Sequence, residues 1–506
     1  MTTKKTGALF LAAITSLAVL VSCKTVNENP AGTTDKPGSG TVTSDALSSG
    51  KTGPDIPADA KYEGYNFTIL TWAPAGAEWQ YSTFNIDSDN TEDRVSEACY
   101  RRNSAVTDRL GVKVSEDTSG NAVSLDRLNQ IVMSEPDEFD VVLLKDRFAF
   151  SASCEGLVAP YTDLEYVDLE RDWWYPEMTK ALTVKNKIYF AYGVHNLDTF
   201  NMMQIMLFNA QYIKDNQFAD PYELVRKGEW TIDRMYEMAM SFTKDVNNDN
   251  DMKADDDLFG VIASQDTWYT NFGAVSGHDT IEKDENDSPV ITVLNDATLI
   301  SIWQKVLGYE KIQKTVLISG WDDIGSYAKS SNRYENAANM FAAGKSLFLG
   351  TFVGQLDTIS AANMKQDYGI IPFPTYTEKN EGDAYIGYMY GSGNSFTIPN
   401  NASDLTRTSI VLETIAYESY VKVLPELYEV KTLIRNNPDE NAKEMLVMMN
   451  NNRCIDLSVA FWFDIGTAYL PSFKKGSDTF VSDYTANITK YQGIIDESLA
   501  KLDFYQ

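Results

Sequence analysis

The sequence predicts an α/β protein built as two units. Three observations carry this. Strand and helix signals alternate from Tyr65 onward, the pattern restarts near residue 195, and 506 residues exceed what one hydrophobic core usually serves. Tyr65–Trp72, rich in aromatic and β-branched residues, is a strand by composition. Thr91–Leu110 reads as a helix, with Val95, Ala98, Cys99, Val106 and Leu110 on one apolar stripe and Gly111 as its C-cap. Val112–Val114 is the next strand, Ser124–Met133 the next helix and Phe139–Leu144 a buried strand. This alternation predicts a largely parallel sheet.

In the second stretch, Lys187–Tyr192, Gln204–Asn209 and Gly260–Ala263 read as strands. Helical periodicity covers Ile232–Thr243, Ala297–Tyr309 and Glu335–Ala343. Leu347–Leu349, Tyr368–Ile371 and Ser395–Pro399 are short strands. The remainder is mostly helical, over Leu405–Glu426, Asn441–Met449 and Tyr484–Lys501.

The amino terminus has its own chemistry. Lys4 and Lys5 precede an apolar run from Ala8 to Val21 that ends Leu20-Val21-Ser22-Cys23. A basic start, a short apolar stretch and small residues at the cut site make a secretory signal. Cys placed after Leu-Val-Ser resembles the bacterial lipobox, in which the thiol takes a diacylglycerol. Residues 1–22 are therefore expected to be a lipoprotein signal peptide, with lipidation at Cys23 and extracytoplasmic anchoring to the membrane through that lipid alone. Residues 23–61, rich in Thr, Ser, Gly, Pro and Asp, are expected to be a flexible tether.

A net charge of −29 argues against a nucleic-acid partner. The remaining cysteines, Cys99, Cys154 and Cys454, have no metal-type spacing, and two histidines offer little material for metal or acid–base sites. Signatures of Ser hydrolases, zinc proteases and phosphate-binding Gly loops do not occur.

Four segments resemble extracellular solute-binding proteins (family 1) of bacterial carbohydrate ABC transporters, the maltose-binding-protein-like group. They are Leu207-Phe208-Asn209, Gly228-Glu229-Trp230-Thr231-Ile232-Asp233, Met340–Phe348 with its Gly344-Lys345, and Tyr368-Gly369-Ile370-Ile371-Pro372-Phe373-Pro374. Phe208 replaces the family's Tyr, and Glu229 and Ile232 depart from its helix entry. The resemblance covers roughly 62–506. It implies a two-lobe periplasmic-binding-protein-like fold (class II), each lobe a mixed sheet flanked by helices, joined by a hinge. The lobes are expected at 62–195 plus 338–394 and at 196–337 plus 395–506.

A sugar offers a C–H face to aromatic rings and hydroxyls to carboxylates and guanidinium groups. Residues following strands are the candidates: Trp72, Glu78, Trp79, Trp268, Trp321 and Tyr390. Lys145-Asp146-Arg147-Phe148 is similar to the family's Asp-Arg-Phe stretch, which implies that Asp146 and Arg147 hold sugar hydroxyls. Trp173 and Trp174 read as packing residues.

Asp245, Asn247, Asp249 and Asp251 alternate as oxygen ligands of a calcium loop do, with Asn250 at the sharp turn and Asp256 or Asp257 closing. A structural Ca2+ is the expectation there, and no cofactor is required. The leading function is capture of a carbohydrate, an oligosaccharide, for an ABC permease, by a monomer without enzymatic activity. The alternatives are a surface glycan-binding or sensory lipoprotein without a transporter, and a secreted glycosidase, which needs two carboxylates about 5–10 Å apart.

Overall fold

Two five-stranded mixed sheets organise the described chain, which in the computed structural model comprises residues 53–72, 93–120, 124–134, 136–264, 267–391, 393–434 and 437–504. The first sheet contains β1 (Asn66–Trp72), β2 (Lys113–Gly120), β3 (Val141–Lys145) and β4 (Val158–Ala159). The second contains β5 (Gln204–Asn209), β6 (Phe259–Ala263), β7 (Val316–Ile318), β8 (Ser346–Phe352) and β9 (Tyr368–Ile371). The late strand β10 (Asn394–Pro399) returns to the first sheet. The orders are β2-β1-β3-β10-β4 and β9-β5-β8-β6-β7.

In the first sheet β1, β2 and β3 run parallel and β10 antiparallel to them, with Asn394 opposite Lys145. In the second, β6, β7 and β8 run parallel while β5 is antiparallel, with Gln204 opposite Phe352. The carboxyl ends of the parallel strands therefore share one edge of each sheet. β5, β6, β7 and β8 are buried along their whole length and β3 as far as Leu144, which is why they read as continuous apolar runs instead of alternating ones.

Local signals set the element ends. Asp93 caps the helix Arg94–Leu110 by accepting from the Ser96 amide at 2.9 Å. Gly111 ends it at φ 71°, its amide donating to the Thr107 carbonyl. The expected helix Leu405–Glu426 is two helices, Leu405–Lys422 and Leu424–Lys431, because Pro425 opens the second and cannot continue the first. Lys187–Tyr192 is not a strand. It carries only isolated bridges, Val184 to Lys187 and Ala191 to Phe396, as the chain leaves the first sheet.

Strand pairing revises the expected lobe segments. Within 338–394, β8 and β9 belong to the second sheet, whereas β10, expected with the second lobe, lies in the first. The helix Leu405–Lys422 likewise packs on Arg94–Leu110, beside the first sheet. Pairing partners lie far apart in sequence, and apolar runs do not name them.

The packed body also starts earlier than the tether reading placed it. Ile56, Ala60 and Tyr62 rest on the core, and the Tyr62 amide donates to the Leu110 carbonyl at 2.7 Å. The Lys61 ammonium donates to the Asp108 carbonyl at 3.0 Å. Cys23 lies outside the described residues. Among the described residues no helix is long and apolar enough to cross a membrane.

Candidate functional site

The carboxyl edges of both sheets converge on the segment 193–203, which carries the chain from one sheet to the other. Asn196 and Asp198 reach back to Asn394 at the start of β10. The Asn196 amide donates to the Asn394 carbonyl at 2.5 Å, and Asp198 Oδ2 accepts from the Asn394 amide nitrogens of backbone and side chain at 3.2 and 3.0 Å. Met203 bridges Met389 just before β5 begins. Such a switch between sheets is where α/β folds hold ligands.

The first sheet contributes the end of β3. Asp146 opens the helix Asp146–Cys154, its own amide donating to the Gly393 carbonyl at 3.2 Å. Its carboxyl is fully enclosed. Oδ1 accepts from the Arg147 amide at 2.8 Å and Oδ2 from the Tyr192 hydroxyl at 3.4 Å. Burial pushes this carboxyl up to about 8, against the opposing pull of the Arg147 amide and charge. The Arg147 guanidinium lies 4.7 Å over the half-buried Phe463 ring, and Tyr390 meets the same ring edge-on at 6.2 Å. The structure thus brings Asp146, Arg147 and Tyr390 together, around a Phe463 that sequence reasoning did not select.

The second sheet contributes Trp321, directly after β7. It is half-buried and stacks on Tyr269 at 5.5 Å and 25°, with the Lys474 ammonium 5.6 Å over its ring. Tyr269 is fixed from behind by its hydroxyl bond to Glu310 at 2.8 Å. Burial raises Glu310 to about 7.

Trp268 departs from its expected role as an exposed stacking surface. It is 2 % exposed and packs against Phe272 at 4.9 Å and Phe373 at 5.6 Å. A Cβ at residue 350 would come within 2.6 Å of the indole, so Gly350 makes the room it occupies. The Trp268 ring, in the first turn of the helix Thr267–Ala274, lies against Gly350 of β8, a placement invisible in the sequence. Trp72 ends β1 at the carboxyl edge. Glu78 and Trp79 lie outside the described residues.

Several buried polar residues beside these candidates carried no selection from sequence. Asp198, Asn394 and Tyr192 are buried polar residues of the crossing region, and Asp198 and Asn394 carried no motif that singled them out. His195 is fully buried between Trp174 at 4.9 Å and Phe396 at 4.3 Å. Burial, with the nearby Arg102 charge, drops it to about 3, and neither ring nitrogen has a hydrogen-bond partner. Trp173 and Trp174 are buried as read, both indoles donating to Glu413, at 3.0 and 2.6 Å.

The acidic loop does not gather its carboxylates. Asp245 accepts from the Asn250 amide at 2.8 Å, Asn247 Oδ1 from the Asp249 amide at 3.0 Å and Asp249 from the Asp251 amide at 2.8 Å. Lys253 pairs with Asp251 at 2.8 Å. Asp256 is exposed, and Asp257 closes the loop instead, accepting from the Val246 and Lys253 amides at 2.9 and 2.7 Å. Asn250 does take the left-handed turn, at φ 64°. Among the described residues no three His, Cys, Asp or Glu side chains converge as a metal ion requires. Backbone amides thus take up one oxygen each of Asp245, Asn247 and Asp249 and both of Asp257, while Asp245 Oδ1 is buried without a partner.

No protein-family model matches the sequence, and no curated protein sequence does. Solved structures do. An extracellular solute-binding protein from Staphylococcus aureus in complex with maltose aligns with a TM-score of 0.51 at 12 % identity, over 88 % of this chain and 98 % of that one. A cyclo/maltodextrin-binding protein complexed with maltotetraose gives 0.50 at 14 %, over 87 % and 96 %. UgpB from Mycobacterium tuberculosis in complex with glycerophosphocholine gives 0.51 at 16 %, over 85 % and 98 %. The chain has the two-lobe fold of these solute-binding proteins.

Proposed function

We propose that this chain, carrying a two-lobe solute-binding fold, is a lipid-anchored extracytoplasmic receptor that captures a carbohydrate between its sheet edges for import by an ABC permease. The observation that carries the reading is the convergence of both carboxyl edges on one crossing segment, lined by buried polar groups and flanked by the Arg147–Phe463–Tyr390 and Trp321–Tyr269 assemblies. Rings beside charged hydrogen-bonding groups suit a sugar, which has an apolar face and a hydroxyl rim. The neighbours whose printed ligands are maltose and maltotetraose support the same class.

In this reading Arg147 donates to ligand hydroxyls while Asp146, enclosed and engaged with Tyr192, orients it. Hinge closure over the segment 193–203 traps the ligand. Capture and release need no cofactor and no bond cleavage. The lobes follow the sheets: β1–β4 with β10 in one, β5–β9 in the other. The anchor is Cys23.

Thermal-shift screening against a glycan panel, followed by calorimetry and recovery of the sugar, tests the reading. A neutral oligosaccharide should bind and be recovered intact. Arg147→Ala should weaken it by about 1.5–3 kcal/mol, the range for hydrogen bonds to charged groups. Hydrolysed sugar, or no glycan binding at all, would reject it. Cys23→Ala should release the protein from membranes of a lipoprotein-processing bacterial host.

A further inference from the structure

We propose that Asp198 is a ligand-contacting specificity residue, whose Oδ1 accepts a hydroxyl hydrogen from an uncharged polyhydroxylated ligand; the assignment rests on the carbohydrate-capture reading above. Asp198 sits in the helix Leu197–Asn201, in the segment that joins the two sheets, six residues ahead of β5. It is 1 % exposed. Both Asn394 donors fall on its Oδ2, at 3.2 and 3.0 Å, and fix the plane of the carboxyl group. Oδ1 has no partner, and neither has the adjacent Thr199 hydroxyl, also 1 % exposed. A buried carboxyl oxygen left unsatisfied is unfavourable, and native structures rarely keep one without a use. Here two neighbouring unmet polar atoms lie where the sheet edges meet.

The chemistry of the partner follows from what surrounds Asp198. Lys145, Asp146 and Arg147 lie at the end of β3, Tyr192 just before the crossing segment, and Arg453 against the Thr199 carbonyl. Burial lifts the Asp198 carboxyl to about 7, with Asn394 and Lys145 pulling it down. Above that pH it is an anion whose only open oxygen is Oδ1. An O–H donor makes a charge-assisted bond there, whereas a phosphate or carboxylate places like charges together in a dry site. Below that pH the proton belongs on Oδ1, because Oδ2 already accepts two N–H groups, and the acceptor is lost.

Calorimetry on the full chain, its Asp198→Asn and its Thr199→Val variants decides the matter. The probes are neutral di- to tetrasaccharides including maltose and maltotetraose, with glycerophosphocholine, a zwitterion that carries a phosphodiester anion, as the comparison, at about pH 5.5 and about pH 8.5. The wild type should bind the best saccharide about tenfold more tightly at the higher pH and leave glycerophosphocholine unbound. Asp198→Asn places an amide N–H where Oδ1 stood. It should bind the saccharide about tenfold more weakly at high pH and lose the tenfold gain between the two pH values, keeping only the smaller change that Asp146 contributes. Thr199→Val should weaken binding a few-fold with the pH dependence intact. An Asp198→Asn protein with wild-type affinity and pH profile overturns the assignment and leaves the capture reading standing. A wild-type profile flat across this range, or preference for glycerophosphocholine, overturns it even where the variant does not fold. Wild-type protein that binds none of the saccharides at either pH overturns the capture reading and the assignment with it.

Discussion

His195 shows how far a side chain's behaviour depends on its neighbours. Between Trp174 and Phe396, with Arg102 near, its charged form has no support, and it stays neutral down to about pH 3. In the unfolded chain it takes a proton near pH 6.5, so its contribution to stability is full above that value and is lost as pH falls toward 3. Urea unfolding should show this group withdrawing roughly 1.4 kcal/mol per pH unit below about 6.5, and His195→Leu should remove that slope. Asp146 works in the opposite sense. Raised to about 8, it contributes most below the usual carboxylate range and loses that contribution as pH rises through 8. The acid and alkaline limbs of the stability profile therefore have different owners. Trp268 makes a related point. Its Trp-Tyr-Thr-Asn-Phe context suits a sugar platform equally well, and only packing against Phe272, Phe373 and Gly350 separates the two roles. Trp268→Ala should lower the unfolding free energy by about 3–5 kcal/mol even without ligand, measured by chemical denaturation.

At the scale of elements, most of the secondary structure was legible. Helices with caps, such as Arg94–Leu110 between Asp93 and Gly111, announce themselves because cap chemistry is local. Lys187–Tyr192 misled because a run of Ile, Tyr and Phe suits a strand wherever a partner exists, and here the chain is leaving its sheet. The acidic loop is ambiguous for a different reason. Alternating Asp and Asn serve a cation and a series of Asx turns equally well, since both need oxygens at alternate positions. In this chain the buried Asp257 ties Val246 to Lys253. Asp257→Ala should leave two amides unmet and destabilise the second lobe by about 1–3 kcal/mol, seen as a lower melting temperature. Asp256→Ala, at an exposed position, should shift it by less than about 0.5 kcal/mol.

For the whole molecule, function in this reading is a change of population between open and closed arrangements of two sheets. A saccharide at about 100 times its Kd should add about 2.7 kcal/mol to stability, measurable as a rise in melting temperature that scales with the logarithm of concentration. The sequence by itself determined that the chain is α/β and that it contains two such units. Those features come from side-chain periodicity and turn chemistry within a few residues. It also singled out Asp146, Arg147 and Tyr390, which the fold brings close to one another. The tertiary structure alone decided that β8 and β9 join β5 while β10 returns to β3, and that Asp198 meets Asn394 across 196 positions. It alone decided which aromatic rings are enclosed. Those outcomes depend on which distant segment covers a given face, and a polypeptide carries no local mark of its distant partner.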